Sequence, residues 1–311
     1  MKYVSVSSIN RRISDPAGFV GIVEENYAAY VEDAALEVIG RGAPIVLISG
    51  PSGSGKTTTA MRIADSIAAK GHKAEVLSMD NYFHPIERFS DDTIPRDADG
   101  NVDLESPLRM DIQLFSEHLL KLAAGETIDM PLFDFPTQKR KGTMEMRRDE
   151  DEYMIIEGIH ALNPMVTGEA DKYCTCMYIA LRTRIRLSDG SMIHPDLIRL
   201  MRRLCRDGKF RKREPEDVFR MFESVSRGEE LYIRPYKHRS HYDIDTFMAY
   251  EASLYKPVIE QKLIDHRASL ERFPEYEMIM RALAQLDPID ERFVPDNSLA
   301  REFVGGSSFD Y

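Results

Sequence analysis

Short apolar runs alternate along the chain with longer stretches in which apolar residues recur every three or four positions. Short runs of this kind predict β-strands, and the longer stretches predict amphipathic helices. The predicted strands cover residues 45–49, 74–78, 153–157, 176–180 and 244–248. The predicted helices cover residues 23–39, 56–70, 111–124, 195–207, 215–227 and 253–265. This order is typical of an α/β fold in which helices cover both faces of a five-stranded, mainly parallel sheet.

The remaining segments divide the chain into a central domain with an extension at each end. The central domain is expected to cover residues 44–270. Residues 1–43 form a predicted N-terminal helical extension, and residues 271–311 a C-terminal helix with a polar tail.

Two segments of the central domain interrupt the alternation. Residues 126–150 combine short β-like pieces with turn residues, which predicts a small hairpin lobe beside the sheet. Residues 208–214 join two predicted helices through a very basic stretch. We interpret residues 206–214 as a mobile lid.

The composition is that of an ordinary globular protein. Of the 311 residues, 43% are hydrophobic and 30% are charged. The longest apolar runs are far shorter than the roughly 20 residues of a membrane span, and the N-terminus lacks the continuous apolar segment of a secretory signal. The three cysteines lack zinc-ligand spacing and are expected to be reduced and packed. We therefore expect a cytoplasmic protein without a membrane partner.

Charge is distributed unevenly along the chain. The net charge of −11 argues against a general nucleic-acid-binding surface, because phosphate backbones require a basic face. Residues 199–213 break this trend, with eight Lys and Arg residues against one acid, Asp207. In an acidic protein this concentration indicates a local anion site, with a solvated helix face as the alternative.

Residues 50–57 read GPSGSGKT and match the pattern G-x-x-x-x-G-K-[ST] at every fixed position. The loop lies between a predicted strand and a predicted helix. Glycines allow successive backbone N–H groups to converge on phosphate oxygens, and the start of the helix adds a positive dipole end. The lysine reaches the β- and γ-phosphates, and the threonine hydroxyl can ligate Mg²⁺. The loop predicts a site for ATP with Mg²⁺, formed by Gly50, Ser52, Gly53, Ser54, Gly55, Lys56, Thr57 and Thr58.

Two acids lie at the carboxyl ends of predicted strands, the edge at which open α/β sheets bind ligands. Asp80 follows the second strand in VLSMDNYF, where a carboxylate can accept a proton from an attacking hydroxyl or help to hold the metal. A helix cap or a turn aspartate is the alternative for Asp80. Glu157 ends the strand in YMIIEGIH, where an acid beside a phosphate loop orients Mg²⁺ and its water ligands.

The ordered set of motifs resembles one known family. The segments GPSGSGKTT, LSMDNYF, VDLESPLRMD, MPLFDFPTQKRKG, IIEGIHAL and RLMRRLCRDGKFRKR occur in the order and at about the spacings of uridine–cytidine kinases. The chain resembles members of the phosphoribulokinase/uridine kinase family, especially its bacterial, uridine kinase-like branch. Later segments, including VPDNSLAREFVGG, extend the resemblance to the C-terminus. It implies a P-loop NTPase fold and a kinase for a small molecule with a hydroxyl group.

The resemblance also implies roles for residues outside the phosphate loop. Asp80 would act as the general base, and Thr57, Asp80 and Glu157 would hold the metal. Glu105 would bind ribose hydroxyls of the acceptor, and Arg203 would help to hold that acceptor. Lys56 and Arg206 would join Asp80 in catalysis, and the lid arginines over the ATP phosphates would be Arg206, Arg211 and Arg213. Their positive charge suits a reaction in which negative charge spreads over phosphate oxygens.

The residues that recognise the base depart from the pattern of that family. Where uridine–cytidine kinases have Tyr, His and Gln, this chain has Phe133, Gln138 and Met221. Phe135 keeps an aromatic residue that can lie against a base. A site without polar base contacts rejects analogues less steeply. Two further residues expected at the acceptor pocket are Tyr82, for which core packing is the alternative, and His160.

The leading hypothesis is a kinase that transfers the γ-phosphate of ATP to a hydroxyl of a nucleoside such as uridine or cytidine. A kinase for another small hydroxyl compound, as in phosphoribulokinase or pantothenate kinase, is one alternative. A regulatory ATPase that signals by lid closure is another. The identity of the acceptor and the oligomeric state, a homo-oligomer included, stay open at this level.

Overall fold

A five-stranded parallel sheet forms the centre of the computed structural model, which describes residues 2–89, 93, 95–96, 100, 102–168 and 170–310. In chain order the strands are β1 (Tyr3–Ser5), β2 (Ile45–Ser49), β3 (Lys73–Ser78), β4 (Thr127–Asp134), β5 (Lys139–Arg147), β6 (Glu152–Glu157), β7 (Cys174–Ala180), β8 (Arg184–Arg186), β9 (Met192–Ile193) and β10 (Tyr242–Asp245). The strand order of the central sheet is β10-β7-β2-β6-β3, and each neighbouring pair is parallel.

Helices cover both faces of this sheet. They are α1 (Val6–Ile13), α2 (Pro16–Arg41), α3 (Lys56–Ala68), α4 (Ile112–Ala123), α5 (Pro164–Thr167), α6 (Pro195–Phe210), α7 (Pro215–Tyr232), α8 (Glu251–Asp265), α9 (Arg267–Leu270), α10 (Pro274–Gln285) and α11 (Arg301–Val304). The predicted α/β class and the five-stranded parallel sheet are therefore confirmed.

Alternate residues of β2 pack on opposite faces of the sheet. Val46 and Ile48 belong to the core that includes residues of α2, α3, α6, α8 and α10. Ile45 and Leu47 belong to a second core, which includes residues of α4, α5 and the β4–β5 hairpin. Every residue of β2 is buried, as expected for a parallel strand that is covered on both sides. The apolar run thus becomes the central strand that carries the phosphate loop.

The hairpin lobe predicted over residues 126–150 is present as β4 and β5. The two strands pair antiparallel, with Thr127 opposite Arg147. The lobe contacts α4 and the short 3₁₀ turn Met79–Tyr82 that follows β3. It therefore lies beside the carboxyl end of the sheet.

The N-terminal segment forms more structure than its sequence pattern predicts. The predicted helix at residues 23–39 is part of the longer α2, while β1 and α1 were not predicted. Strand β1 pairs in parallel with β8, which pairs antiparallel with β9. Buried side chains of α1 and α2 join the core on the α3 side of the sheet. The segment is packed against the central domain rather than extended from it.

Several predicted boundaries were wrong; for example, α7 continues to Tyr232 and not only to residue 227. Helix α6 continues to Phe210 and not only to residue 207, so that residues 211–214 connect it to α7. The last strand of the sheet ends at Asp245 and does not reach residue 248. There the Thr246 hydroxyl donates to the carbonyl oxygen of Ser54 at 2.6 Å, and the Thr246 carbonyl accepts from Arg202 at 2.7 Å. The Thr246 N–H still donates to the carbonyl oxygen of Ala180 in β7 at 3.2 Å, so these bonds adjoin the end of the strand pairing.

The three cysteines are buried and none is in a disulfide, as predicted. In the described part of the chain no helix has both the length and the apolar character needed to cross a membrane.

Candidate active site

The phosphate loop connects β2 to α3, in the position that the sequence pattern predicts. Its glycines at 53 and 55 have φ angles of +76° and +84°, a conformation that side chains other than glycine rarely adopt. A Cβ atom on Gly55 would lie 2.5 Å from Leu299 Cδ1, so that a larger residue would also collide with the C-terminal segment. The loop includes Gly50, Ser52, Gly53, Ser54 and Gly55, and Lys56, Thr57 and Thr58 form the first turn of α3.

Arginines of α6 hold the outer side of this loop. Arg199 Nη1 donates to the carbonyl oxygen of Ser52 at 3.0 Å, and Arg202 Nη1 donates to that of Gly53 at 3.1 Å. Arg203 Nη1 donates to Ser52 Oγ at 2.7 Å. Arg199 and Arg202 are fully buried and also pair with acids of α7 and α8. Arg199 and Arg202 of the basic run therefore support the loop by bonding its carbonyl oxygens.

A hydroxyl and a carboxylate meet at the start of α3. Thr57 Oγ1 and Glu157 Oε1 lie 3.4 Å apart, which brings together two of the three predicted metal ligands. Lys56 Nζ donates to the carbonyl oxygen of Pro51 at 3.4 Å. Burial raises the pKa of Glu157 to about 7; the positive charge of Lys56 opposes this shift, and the negative charge of Asp80 adds to it. No group of three or more His, Cys, Asp or Glu residues suited to a metal occurs among the described residues.

Asp80 lies in the short 3₁₀ turn after β3, next to the phosphate loop. Burial raises its pKa, and four cations oppose that shift, which in order of size are Lys56, Arg211, Arg109 and Arg206. These cations belong to the phosphate loop, to the lid and to the segment that precedes α4. Asp80 therefore lies within the electrostatic reach of three separate segments of the chain.

Glu105 and His160 are the next two residues predicted to belong to the site. Burial raises the pKa of Glu105 to about 7, and Arg203 and Lys56 oppose that shift. Glu105 Oε2 is buried and has no hydrogen-bond partner among the described residues. Burial lowers the pKa of His160 to about 4, so that its ring is neutral at physiological pH. A Cβ atom on Gly228 of α7 would lie 2.3 Å from the Cβ of Glu105, so that glycine is needed for this close packing.

Three phenylalanines form an aromatic cluster at the hairpin, hereafter the phenyl cluster: Phe83, Phe133 and Phe135. Their ring centroids are 5.2–6.4 Å apart in edge-to-face contacts. Phe133 is buried, whereas Phe135 is 49% exposed. Gln138 adjoins the cluster, because its Nε2 donates to the carbonyl oxygen of Phe135 at 2.7 Å.

The side chain of Tyr82 lies among core residues. It is buried, its ring packs against Phe115 at 5.0 Å, and its hydroxyl lies 3.0 Å from His118 Nδ1. The side chain therefore packs in the core, which was the alternative at the sequence level, and a place for it in the wall of an acceptor pocket stays a prediction. In the 3₁₀ turn after β3, Met79 and Tyr82 are the buried residues.

The lid arginines converge on a single buried acid. Asp207 is 0% exposed, and its carboxylate oxygens lie 2.9 Å from Arg206 Nε, 3.2 Å from Arg213 Nη1 and 3.4 Å from Arg211 Nη1. Arg203 Nη2 is also 3.4 Å from this carboxylate. Burial alone would raise the pKa of Asp207, but Arg206, Arg203 and Arg211 outweigh that effect and lower it. The acid is therefore ionised and neutralises part of a dense positive cluster.

Three residues near the site were not assigned a role from the sequence. Asp207 was noted only as the single acid of a basic run, and Arg109 and Glu302 carry no local signal. Glu302 Oε2 accepts from the Thr58 hydroxyl at 2.6 Å, although 244 residues separate the two. Contacts over such distances along the chain cannot be inferred from motif spacing.

Comparisons with known proteins show the family of the chain. The model of the phosphoribulokinase/uridine kinase family matches residues 45–251. A uridine kinase of Deinococcus deserti is 30% identical over 200 residues, which are 64% of this chain and 86% of that protein. A uridine kinase of Halobacterium salinarum is 31% identical over 194 residues, or 62% of this chain and 76% of that protein. The solved structure of a possible uridine kinase from Bacillus stearothermophilus is 16% identical, with a TM-score of 0.42 and coverage of 65% of this chain and 88% of that one.

A P-loop kinase is defined by three features of this chain. They are the phosphate loop on a parallel sheet, the acids beside that loop and the basic segment at the end of α6. More specifically, the chain belongs to the phosphoribulokinase/uridine kinase family. It is a phosphotransferase whose acceptor is a hydroxyl group of a small molecule.

Proposed function

We propose that the protein transfers the γ-phosphate of ATP, in the presence of Mg²⁺, to the 5′-hydroxyl of a pyrimidine nucleoside. The observation that carries this proposal is the position of Asp80. Asp80 is partly buried, and the cations that act on it come from the phosphate loop, the lid and the acceptor side. A group at the junction of two substrate sites suits transfer between them better than hydrolysis alone.

The residues of the loop fit a magnesium–nucleotide complex. Thr57 Oγ1 and Glu157 Oε1 supply oxygen atoms 3.4 Å apart, and Mg²⁺ prefers oxygen ligands while keeping several of its waters. Thr57, Glu157 and Asp80 would hold the metal, and Gly50–Thr58 would hold the phosphates. The metal would supply positive charge to the phosphate oxygens. Few acids lie near Thr57 and Glu157 among the described residues. Such a site suits a metal that substrate phosphates also bind.

The chain's own residues can perform the proton and charge movements of the reaction. The acceptor oxygen forms a bond to the γ-phosphorus while the bond from that phosphorus to the β–γ bridging oxygen breaks, and ADP leaves. Asp80 takes the proton of the hydroxyl, and its raised pKa favours that role. Lys56 and the lid arginines Arg206, Arg211 and Arg213 stabilise the negative charge that spreads over the phosphate oxygens.

A nucleoside is the acceptor that these surroundings support best. The buried Glu105 Oε2, which lacks a partner in the described part of the chain, can accept hydrogen bonds from ribose hydroxyls. Arg203 is near enough to act on the pKa of Glu105 and can hold the acceptor with it. The phenyl cluster provides apolar faces and edges for a planar base. The two relatives described above carry the name uridine kinase.

An acceptor panel tests the proposal. Purified protein with ATP and Mg²⁺ should convert uridine, cytidine or both to the 5′-monophosphate, detected by chromatography together with ADP. Sugars, hydroxy acids and purine nucleosides serve as comparison acceptors, and Lys56→Met serves as the inactive control. Phosphorylation of non-nucleosides alone would refute the nucleoside as acceptor. ATP hydrolysis with no phosphorylated acceptor in the panel would instead favour a regulatory ATPase.

A further inference from the structure

Arg109 is a buried cation at the acceptor side of the site. It ends the 3₁₀ turn Pro107–Arg109 in the segment SPLRMD and is only 4% exposed. Burial lowers its pKa, and Asp80 and Glu105 oppose that shift, which places the guanidinium in the electrostatic field of both acids. Among the described residues, no carboxylate oxygen lies within 4.0 Å of a nitrogen of Arg109, so that Arg109 forms no ion pair there.

The guanidinium also retains unused donor capacity. Its one side-chain hydrogen bond among the described residues is a long one, from Nη2 to Gln138 Oε1 at 3.4 Å. Its Nε is buried without a hydrogen-bond partner in the same part of the chain. Buried donors without partners lose the hydration that they have in water, which is costly unless a ligand replaces it. A ligand with acceptor atoms can therefore gain affinity here.

The surroundings of Arg109 indicate the shape of that ligand. Its guanidinium carbon lies 5.4 Å from the ring centroid of Phe83, a member of the phenyl cluster. Gln138 links the two features, because its amide accepts from Arg109 and donates to the carbonyl of Phe135. A planar ring packed on the phenyl cluster would thus present its edge to a group that only donates hydrogen bonds.

We propose that Arg109 is a specificity-determining residue that donates to the oxygen at position 4 of uracil and makes the enzyme prefer uridine to cytidine. This inference rests on the proposed nucleoside kinase function. Uracil presents a carbonyl oxygen at position 4, where cytosine presents an amino group. A donor-only guanidinium can bond the carbonyl, but it faces the amino group donor to donor. This contact therefore favours uracil, the base with a carbonyl at position 4.

Kinetics with the two nucleosides test this assignment. For the wild type at saturating ATP and Mg²⁺, kcat/KM for uridine should exceed that for cytidine by about 10- to 100-fold, the range of one bonded against one opposed polar contact. In Arg109→Gln, whose amide can donate or accept, this ratio should fall to within about 3-fold of unity. The KM for ATP should stay unchanged, because Arg109 lies on the acceptor side. Arg88→Gln, at an exposed arginine of the neighbouring turn, should keep the wild-type ratio.

The outcomes separate this inference from the proposed function. A wild type that phosphorylates both nucleosides equally, or a variant that keeps the wild-type ratio, would overturn the role of Arg109 and leave the nucleoside kinase intact. A wild type that phosphorylates neither nucleoside would overturn both. If Arg109→Gln fails to fold, calorimetry of uridine and cytidine binding to the wild type decides the question, since equal affinities contradict the assignment.

Discussion

Burial and metal binding impose opposite demands on the ionisation of Glu157. Its pKa is raised to about 7 by burial, so that the folded chain without ligands favours the protonated acid. Metal binding requires the carboxylate. In the unfolded chain the pKa is near its ordinary value of 4.5. The contribution of Glu157 to stability is thus fully present below about pH 4.5 and is lost as the pH rises through about 7.

We therefore predict that Glu157→Gln gains stability relative to the wild type as the pH rises from 5 to 8. The difference between the two free energies of unfolding should grow by up to about 1.4 kcal/mol per pH unit, because glutamine does not ionise. Urea unfolding of the metal-free proteins at several pH values measures it. Glu152→Gln, at the other end of β6, is the control. A difference that does not change with pH would contradict the buried, protonated state.

Asp80→Asn tests the proposed general base. The amide keeps the size of the side chain but cannot take the proton of the acceptor hydroxyl. We expect kcat to fall by roughly 10²-fold or more while ATP binding, measured by calorimetry, persists. Asp65→Asn removes the same charge from an exposed position on α3 and should retain full turnover. Unaltered turnover in Asp80→Asn would exclude this residue as the base.

At the scale of elements, the features that depend on local pattern were predictable. The unit of β2, phosphate loop and α3 was predicted in place because an apolar run, a glycine pattern and a helical period follow one another in the chain. Strand β10 was misplaced because its pairing with β7 covers Tyr242–Asp245, a register that the apolar run alone does not reveal. Similarly, a run of basic residues does not reveal that some support the loop and others converge on Asp207.

The lid depends on that convergence, which Asp207→Asn would disturb. The substitution keeps the shape of the side chain but removes the charge that offsets Arg206, Arg211 and Arg213. The arginines would then repel one another and turn toward solvent. We expect kcat to fall by about 10- to 100-fold, since small displacements of groups around a transferring phosphate have effects of this size. Steady-state kinetics against ATP would measure the loss.

Asp217→Asn provides the matched control for this experiment. Asp217 pairs with Arg220 on the exposed surface of α7, where ion pairs contribute little. The control should therefore behave as the wild type. Tighter ATP binding in Asp207→Asn at undiminished kcat would show that Asp207 competes with the phosphates for the arginines instead of positioning them.

At the scale of the whole molecule, both ends of the chain lie outside residues 45–251, the part matched by the family. Both contact the helix that follows the phosphate loop. Tyr27 of α2 shares a 2.6 Å hydrogen bond with Thr59, and Glu302 of α11 accepts from Thr58 at 2.6 Å. Lys209, within the predicted lid, donates to the carbonyl oxygen of Val304. The C-terminal segment thus connects the phosphate loop to the base of the lid.

Leu299 is the point at which this segment touches the loop itself. It is 0% exposed, and its side chain fills the space next to Gly55. Leu299→Ala should cost about 2–5 kcal/mol of stability through the cavity it leaves. Because the cavity adjoins the loop, we also expect the KM for ATP to rise several-fold. Leu283→Ala removes an equally buried leucine from α10, which contacts α6, α8 and β9. It should cost similar stability without changing the KM for ATP, and equal effects of both variants on KM would show that the C-terminal segment acts on stability alone.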